Sequence, residues 1–437
     1  MTRLRYRLRQ VTDSFWFTPG VGILVAIGLA EGLVAIEPVI RSGVIDLVLT
    51  VGPDGSRGLL TAIATSMLSA AATMFSITIA VLTLTSSAYG PRLVRNFMAD
   101  RGNQLVLALL VSTALFAMLV VRHIRAGESD EFVPHLAVNV AVMLAVASIV
   151  ALVYFIHHIS ASIQISRLAG GVRTSLVDLL EELFPSDAGA SGRPRDDWPV
   201  FHGAVAVEAS RDGYVASIGV DRIVRAAAEH GGRVEVLVQP GTFVCRGDVL
   251  ARLAADVRGA GDGGTAALDP IGAAVLSVVE IEDERTPVQD AEHLVRQLVD
   301  VAARALSPGI NDPVTAMTAV DALAAAFASS AGRADPLPVR VDQNGEPRVL
   351  ARFRTVDGLA VDAVDAIRPY LAGQPVVAHR VLDLLQRLIE RESSAHRLDA
   401  YEAAAERVVD GAIEPAMLEV DAAALRRRLP LGAEATA

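Results

Sequence analysis

The sequence contains no lysine; all 39 of its basic residues are arginine. That absence removes the phosphate-gripping lysine of a Walker A loop, any Schiff-base lysine, and the lysine that would carry biotin or lipoate. Cysteine occurs once, at Cys245. One cysteine excludes an intrachain disulfide and a thiolate metal cluster within one chain, and we read it as a small buried hydrophobe. Charge is scarce: 20% of residues are charged against 52% hydrophobic, and mean hydropathy is +0.42. That average is too apolar for an ordinary soluble protein.

Between Arg57 and Arg92 charge is missing altogether. The stretch Gly58 to Pro91 exceeds the roughly 20 apolar residues a helix needs to cross a bilayer core. Ser66, Ser69, Thr73, Ser76, Thr83 and Ser87 recur along it in steps of three, four and seven, with Ala80 in the gap. At about 100° per residue they form one stripe, while Leu68, Phe75, Ile79 and Leu82 point the other way. From Ser66 to Ser87 the stripe measures about 32 Å. Such a face turns toward protein or water. Either it serves close helix packing, or copies of it line a narrow pore in a homo-oligomer.

Three further apolar runs accompany this one. The first, Phe15 to Ile36, follows Arg3, Arg5, Arg7 and Arg9 and carries one carboxylate, Glu31. No convincing small-residue cleavage site precedes Glu31, so the run is expected to be a span and not a signal peptide. An intramembrane carboxylate is a functional candidate by default, though Glu31 lies near the expected outer boundary. Leu105 to Val121 and Phe132 to Ile156 complete four spans. His157 and His158 end the last span and read as interfacial residues. Arginine-bearing segments before the first span, after the second and after the fourth place both termini in the cytoplasm of a bacterial inner membrane. A helical stalk continues to Phe184, and a linker rich in Gly, Ser, Pro and Asp covers 185–199.

The second half differs in charge. Residues before Val200 hold 15 acidic and 15 Arg residues; the remainder hold 35 acidic and 24 Arg, so the formal −11 resides there. This balance excludes a phosphate-neutralising patch for nucleic acid. Strands are expected at Gly203–Val207, Gly213–Ile218, Val234–Val238, Val249–Leu253 and Ile271–Glu280, with a Gly-rich flexible piece at Gly259–Gly264. The turn Gln239-Pro240-Gly241, with Val244 and Arg246-Gly247-Asp248, resembles an edge of lipoyl- and biotinyl-type barrels. The lysine to be modified is missing, so only the shape carries over. Further strands are expected at Val339–Val341 and Val349–Phe353. Helices are expected at Asp221–His230, from the opening Gln289-Asp290 to about Leu306, at Val314–Phe327, and in four segments from Ala360 to Arg427.

The densest motif is Ala305-Leu306-Ser307-Pro308-Gly309-Ile310-Asn311-Asp312-Pro313. Asp312 at N-cap and Pro313 at N1 form a strong helix start. Asn311, Asp312 and Thr315 crowd polar groups at that helix N-terminus, which suits either a structural turn or an anion. Arg285, Gln289 and Arg304 are candidates to complete an anion site.

The segments Thr78 to Asn103 (with Pro91-Arg92 and Arg101-Gly102-Asn103) and Glu284-Arg285-Thr286 through Asp312-Pro313 resemble a large bacterial family of predicted membrane proteins, known only as a domain of unknown function. The resemblance covers most of the chain. It implies a multi-span inner-membrane protein with a cytosolic domain, and it supplies no activity, catalytic residue or cofactor.

The expected architecture is an α-helical membrane domain of four transmembrane helices plus a cytosolic α+β domain. Its ranges are 1–184 for the spans and stalk, 185–199 for the linker, 200–270 for a β-rich barrel-like subdomain, and 271–437 for a mainly helical α+β subdomain. The expected partners are the lipid bilayer, further copies of the chain, and a small ion or anion. No catalytic motif, metal site or cofactor is expected. Two functions compete: an oligomeric channel lined by the hydroxyl stripe, and a membrane-anchored sensor or scaffold whose cytosolic domain binds an anion or a protein.

Overall fold

The apolar runs become long helices because nothing in them stops one. In the computed structural model, which describes residues 16–40, 52–89, 100–125, 132–162, 165–185, 192–198, 204–255 and 269–429, four helices are long and apolar enough to cross a membrane. They are α1 (Phe17–Ile40), α2 (Pro53–Tyr89), α3 (Arg101–His123) and α4 (His135–Ser162). Residues Met1–Leu168 form one compact unit and Ala169–Ala437 a second. The arginine-bearing loop after Tyr89 and the Gly-rich 259–264 lie mostly or wholly outside the described residues.

In the first unit α3, not α2, is the hub: it packs on α1, α2 and α4. Leu110, Phe116, Ala117 and Val120 are fully buried along it. Asp100 caps α3, accepting from the amides of Gly102 at 2.7 Å and Asn103 at 3.2 Å. Small residues permit close approach: a Cβ on Gly22 of α1 would stand 2.6 Å from the Ser112 hydroxyl of α3. Thr113 and Ser148 share a buried hydroxyl–hydroxyl bond of 3.0 Å between α3 and α4. Such contacts hold helices together where lipid supplies no hydrophobic drive.

The second unit begins within α5 (Ile165–Leu183) and then mixes sheets and helices. Its strands are β1 (Gly192–Arg193), β2 (Val205–Glu208), β3 (Gly213–Ile218), β4 (Gly232–Val236), β5 (Phe243–Val244), β6 (Val249–Ala255), β7 (Val279–Glu282), β8 (Val339–Val341) and β9 (Pro347–Ala351). A six-stranded sheet runs β1-β8-β9-β4-β6-β2, and a three-stranded sheet runs β5-β3-β7. The β4–β9 pair is parallel, with Val234 opposite Val349, and the others are antiparallel. The larger sheet therefore joins strands from both sides of residue 270. Val234, Val236, Leu253 and Val349 alternate into one core.

The helices of this unit are α6 (Val220–Glu229), α7 (Asp269–Val278), α8 (Ala291–Ala305), α9 (Pro313–Ser330), α10 (Val356–Ile367), α11 (Pro375–Ile389), α12 (Ala395–Ala412) and α13 (Glu419–Arg426). α8 through α12 pack on one another. Three expectations need correction. The apolar run from Ile271 is helical to Val278 and becomes β7 only at Val279. Ile271, Val275 and Val278 are buried at helical spacing behind Asp269 and Pro270, which suit a first turn. Cys245 is exposed, because it occupies the turn between β5 and β6 and only its neighbour Val244 points inward. The last helix starts at Glu419 and not Glu414, since Glu414 to Met417 forms a turn.

Candidate functional site

The first group of polar side chains lies on α2. Its buried face is built from Leu60, Ile63, Ala64, Met67, Ala71, Met74, Thr78 and Val81. Ser66, Ser69, Thr73, Ser76 and Thr83 are exposed, centred roughly 150° around the helix from that face. The hydroxyl stripe thus points away from its own bundle. The Ser87 side chain lies outside the described residues. The Thr73, Ser76 and Thr83 hydroxyls donate to the carbonyls of Ser69, Ala72 and Ile79 at 3.0, 3.0 and 2.9 Å. Each has used its proton, so what it offers outward is oxygen lone pairs.

Glu31 on α1 meets the end of α3, accepting from Arg122 at 2.7 Å and lying 3.4 Å from His123 Nε2. Asp100, while capping α3, also binds His158 Nε2 at 2.8 Å, and the His158 ring stacks on Tyr154. Sequence reading treated His158 as interfacial and gave Asp100 no role. The signal that could have found it is local: an Asp two and three residues ahead of Gly102 and Asn103 is an N-cap pattern.

In the second unit the proposed anion-site residues separate into two places. Arg285 and Gln289 lie at the N-terminal end of α8. Arg285 binds the α8 N-cap Asp290 through two bonds of 2.7 and 2.9 Å. Gln289 accepts from the amide of Ile218 at 2.9 Å. Burial opposes the charge on Arg285, yet Asp290 and Glu292 more than offset it, so its pKa is raised. The turn at Gly241 has φ +87°, and a Cβ there would collide with both Asp290 and Arg285; glycine is required for this approach. Arg304 stands exposed in the last turn of α8, which is about 21 Å long.

Asn311, Asp312 and Thr315 sit beyond that far end. Asn311 adopts φ +47°, and its side-chain oxygen accepts from Gln374 at 3.1 Å. Asp312 caps α9 by accepting from the Thr315 hydroxyl at 2.7 Å and its amide at 3.1 Å. These bonds hold the Asp312 carboxyl below its ordinary value. The geometry is that of a capped helix–turn–helix, and Arg285 and Gln289 do not reach it.

What the N-terminal end of α8 does border is a cleft of about 650 Å³ wholly within the second unit. Arg222, Arg225, Arg340, Arg352 and Arg354 all line it. These arginines come from α6, β8 and the segment after β9, and no sequence motif joined them. Arg340 stacks on Phe353, 5.0 Å from the ring centroid. Its Nε is buried without a hydrogen-bond partner among the described residues. Burial pushes its pKa below the ordinary value, and Asp221 offsets this only in part.

Four candidate spans with an exposed hydroxyl face, followed by a domain of helices and mixed sheets, define a multi-span membrane protein. The chain belongs to the family described as predicted membrane protein (DUF2254), which matches residues 12–387. It is 32% identical over 395 residues to the uncharacterized protein Rv1290c of Mycobacterium tuberculosis, covering 89% of this chain and 74% of the relative. The uncharacterized protein Mb1321c of Mycobacterium bovis is similar to the same extent, 32% over 395 residues with coverage of 89% and 74%. No solved structure matches the chain.

Proposed function

We propose that this protein assembles as a homo-oligomer in the bacterial inner membrane, with the hydroxyl faces of α2 from neighbouring copies lining a narrow pore. One observation carries the reading: Ser66, Ser69, Thr73, Ser76 and Thr83 face out of a single chain along about 25 Å of helix, and the described three of their back-bonded hydroxyls present only lone pairs. Lone pairs replace the hydration shell of a cation, so the pore conducts cations in preference to anions. Both termini and the second unit are on the cytoplasmic side, as the arginine-bearing segments favour. The residues suggest no catalytic role and no cofactor.

The test is purified protein in planar bilayers, with its oligomeric state measured in parallel. Cation-selective current is expected, altered by Thr73→Val and Ser76→Val in variants that stay folded and assembled. A folded oligomer that passes no current overturns the pore. A protein that stays monomeric in lipid overturns the assembly and leaves the stripe against acyl chains, its protons satisfied by its own backbone.

A second reading is favoured by the arginine-lined cleft: the second unit binds a small anion and acts as the sensing part of a membrane-anchored protein.

A further inference from the structure

The cleft holds more positive charge than its neighbours neutralise. Arg225 and Arg352 have no ion-pair partner among the described residues, and Arg222 reaches only the Ser277 hydroxyl at 3.5 Å. Arg340 contacts a ring face and leaves its Nε without an acceptor. The fifth, Arg354, is paired with Asp362.

Four carboxylates also line the cleft, and two are already engaged from outside it. Asp290 is held by Arg285, and Glu292 is held by Arg296 at 2.9 Å and lies 3.6 Å from Arg285. Glu182 and Asp221 remain, against four guanidinium groups that have no carboxylate within salt-bridge distance among the described residues.

The backbone adds donors. Helix α6 begins inside the cleft at Gly219, an N-cap without a side chain to bond its first amides. Uncapped N–H groups with the positive end of a helix dipole favour an anion. Arg222 and Arg225, three apart on the same helix, share a face. Buried N–H groups without acceptors are costly and uncommon, so the Arg340 Nε marks a place where an acceptor belongs.

We propose that this cleft binds a phosphate-bearing anion of at least two negative charges, gripped by Arg222, Arg225, Arg340 and Arg352 over the α6 N-terminus. Guanidinium forks match phosphate oxygens in pairs, and several unpaired forks exceed what one carboxylate would satisfy. The volume exceeds that of bare phosphate and falls in the range of small-molecule sites, roughly 300 to 1,000 Å³. Phe353 and Leu359 supply an apolar wall for an organic portion. A soluble nucleotide and a phospholipid headgroup share this chemistry. The proposal deepens the sensor reading, rests on it, and is independent of the pore.

The experiment uses the full chain in nanodiscs of uncharged phosphatidylcholine. It is titrated with inorganic pyrophosphate, with a nucleoside triphosphate and with the dicarboxylate succinate, and compared with nanodiscs containing phosphatidylglycerol. Saturable binding that raises the unfolding temperature and weakens with salt is expected. Arg225→Gln, an exposed change that leaves folding intact, weakens it about tenfold or more, and Arg340→Gln does the same. Stabilisation by the soluble probes assigns a nucleotide-like source, and stabilisation only by the anionic lipid assigns a headgroup. Binding untouched by Arg225→Gln overturns the site. Dicarboxylates binding where phosphates do not overturns the phosphate and leaves the sensor reading intact. Indifference to every anion overturns both.

Discussion

The two units turn the same residue types in opposite directions. In the first, Leu24, Met143, Val150 and Val153 are more than 60% exposed on the single chain. In the second, Val320, Leu323, Leu382 and Leu385 of α9 and α11 are fully buried, and the buried Arg397 is held by Asp335 and Glu392. Hydrophobic burial drives the second packing. It cannot drive the first in lipid, where small residues and buried hydroxyl bonds do the work instead. An ion pair or an apolar side chain therefore has no fixed worth here; its surroundings set it.

The largest effect should come from the buried cluster around Arg397. This guanidinium is 7% exposed and bonds Asp335 at 2.6 Å and Glu392 at 3.1 Å, with Asp357 at 3.7 Å. Burial opposes its charge, and its acidic partners more than compensate, so its pKa is raised. Removing one member of such a cluster strands the others, and Arg397→Ala should cost about 3–5 kcal/mol in denaturant unfolding of the full chain in detergent. The counterpart in the first unit is Arg122, 66% exposed beside Glu31; Arg122→Ala should cost at most about 1 kcal/mol. Equal costs would erase the contrast.

Next comes the two-sidedness of α2. Met74, 2% exposed, fills the bundle, and Met74→Ala should lose about 2 kcal/mol of stability, the low end for such a cavity. Thr73→Val, one residue away and exposed, should leave the unfolding midpoint of the detergent-solubilised monomer unchanged. A loss from Thr73→Val equal to that from Met74→Ala would mean the stripe supports its own bundle.

Acid should act on the second unit. Burial raises the Glu392 pKa, but the amides of Ser394 and Ser393 with Arg397 outweigh it and hold it below the ordinary 4.5. A depressed carboxylate adds stability that is present above its unfolded value and lost as pH falls through the folded one. The unfolding midpoint should therefore drop below about pH 4.5, with a shallower slope in Glu392→Gln. The smallest effect is at the α9 cap, where Asp312→Ala should cost about 1 kcal/mol without altering anion binding at the arginine-lined cleft.

Much of the fold was legible because its signals are local. Four charge-poor runs, the Asp312-Pro313 helix start and the alternating strands at Val234–Val238 and Val249–Leu253 each depend on neighbours in sequence. The run from Ile271 misled because ten apolar residues fit a buried strand or a buried helix equally well. The parallel β4–β9 pairing joins residues more than a hundred positions apart, and no local pattern encodes it. The cleft was hidden for the same reason: Arg222 and Arg225 lie far in sequence from Arg340 and Arg352. Of the two residues at the N-terminal end of α8, Gln289 borders that cleft while bonding Ile218, and Arg285 holds Asp290 from outside it.

The 37 residues of α2 make a rod of about 55 Å. A hydrocarbon layer is near 30 Å thick, and even a steep tilt of about 40° shortens the rod's vertical reach only to roughly 42 Å. At least a couple of turns must therefore stand proud of the fatty layer, rigidly continuous with the segment inside it. Any push or twist applied to that protruding end is carried along a single unbroken shaft into the membrane's interior.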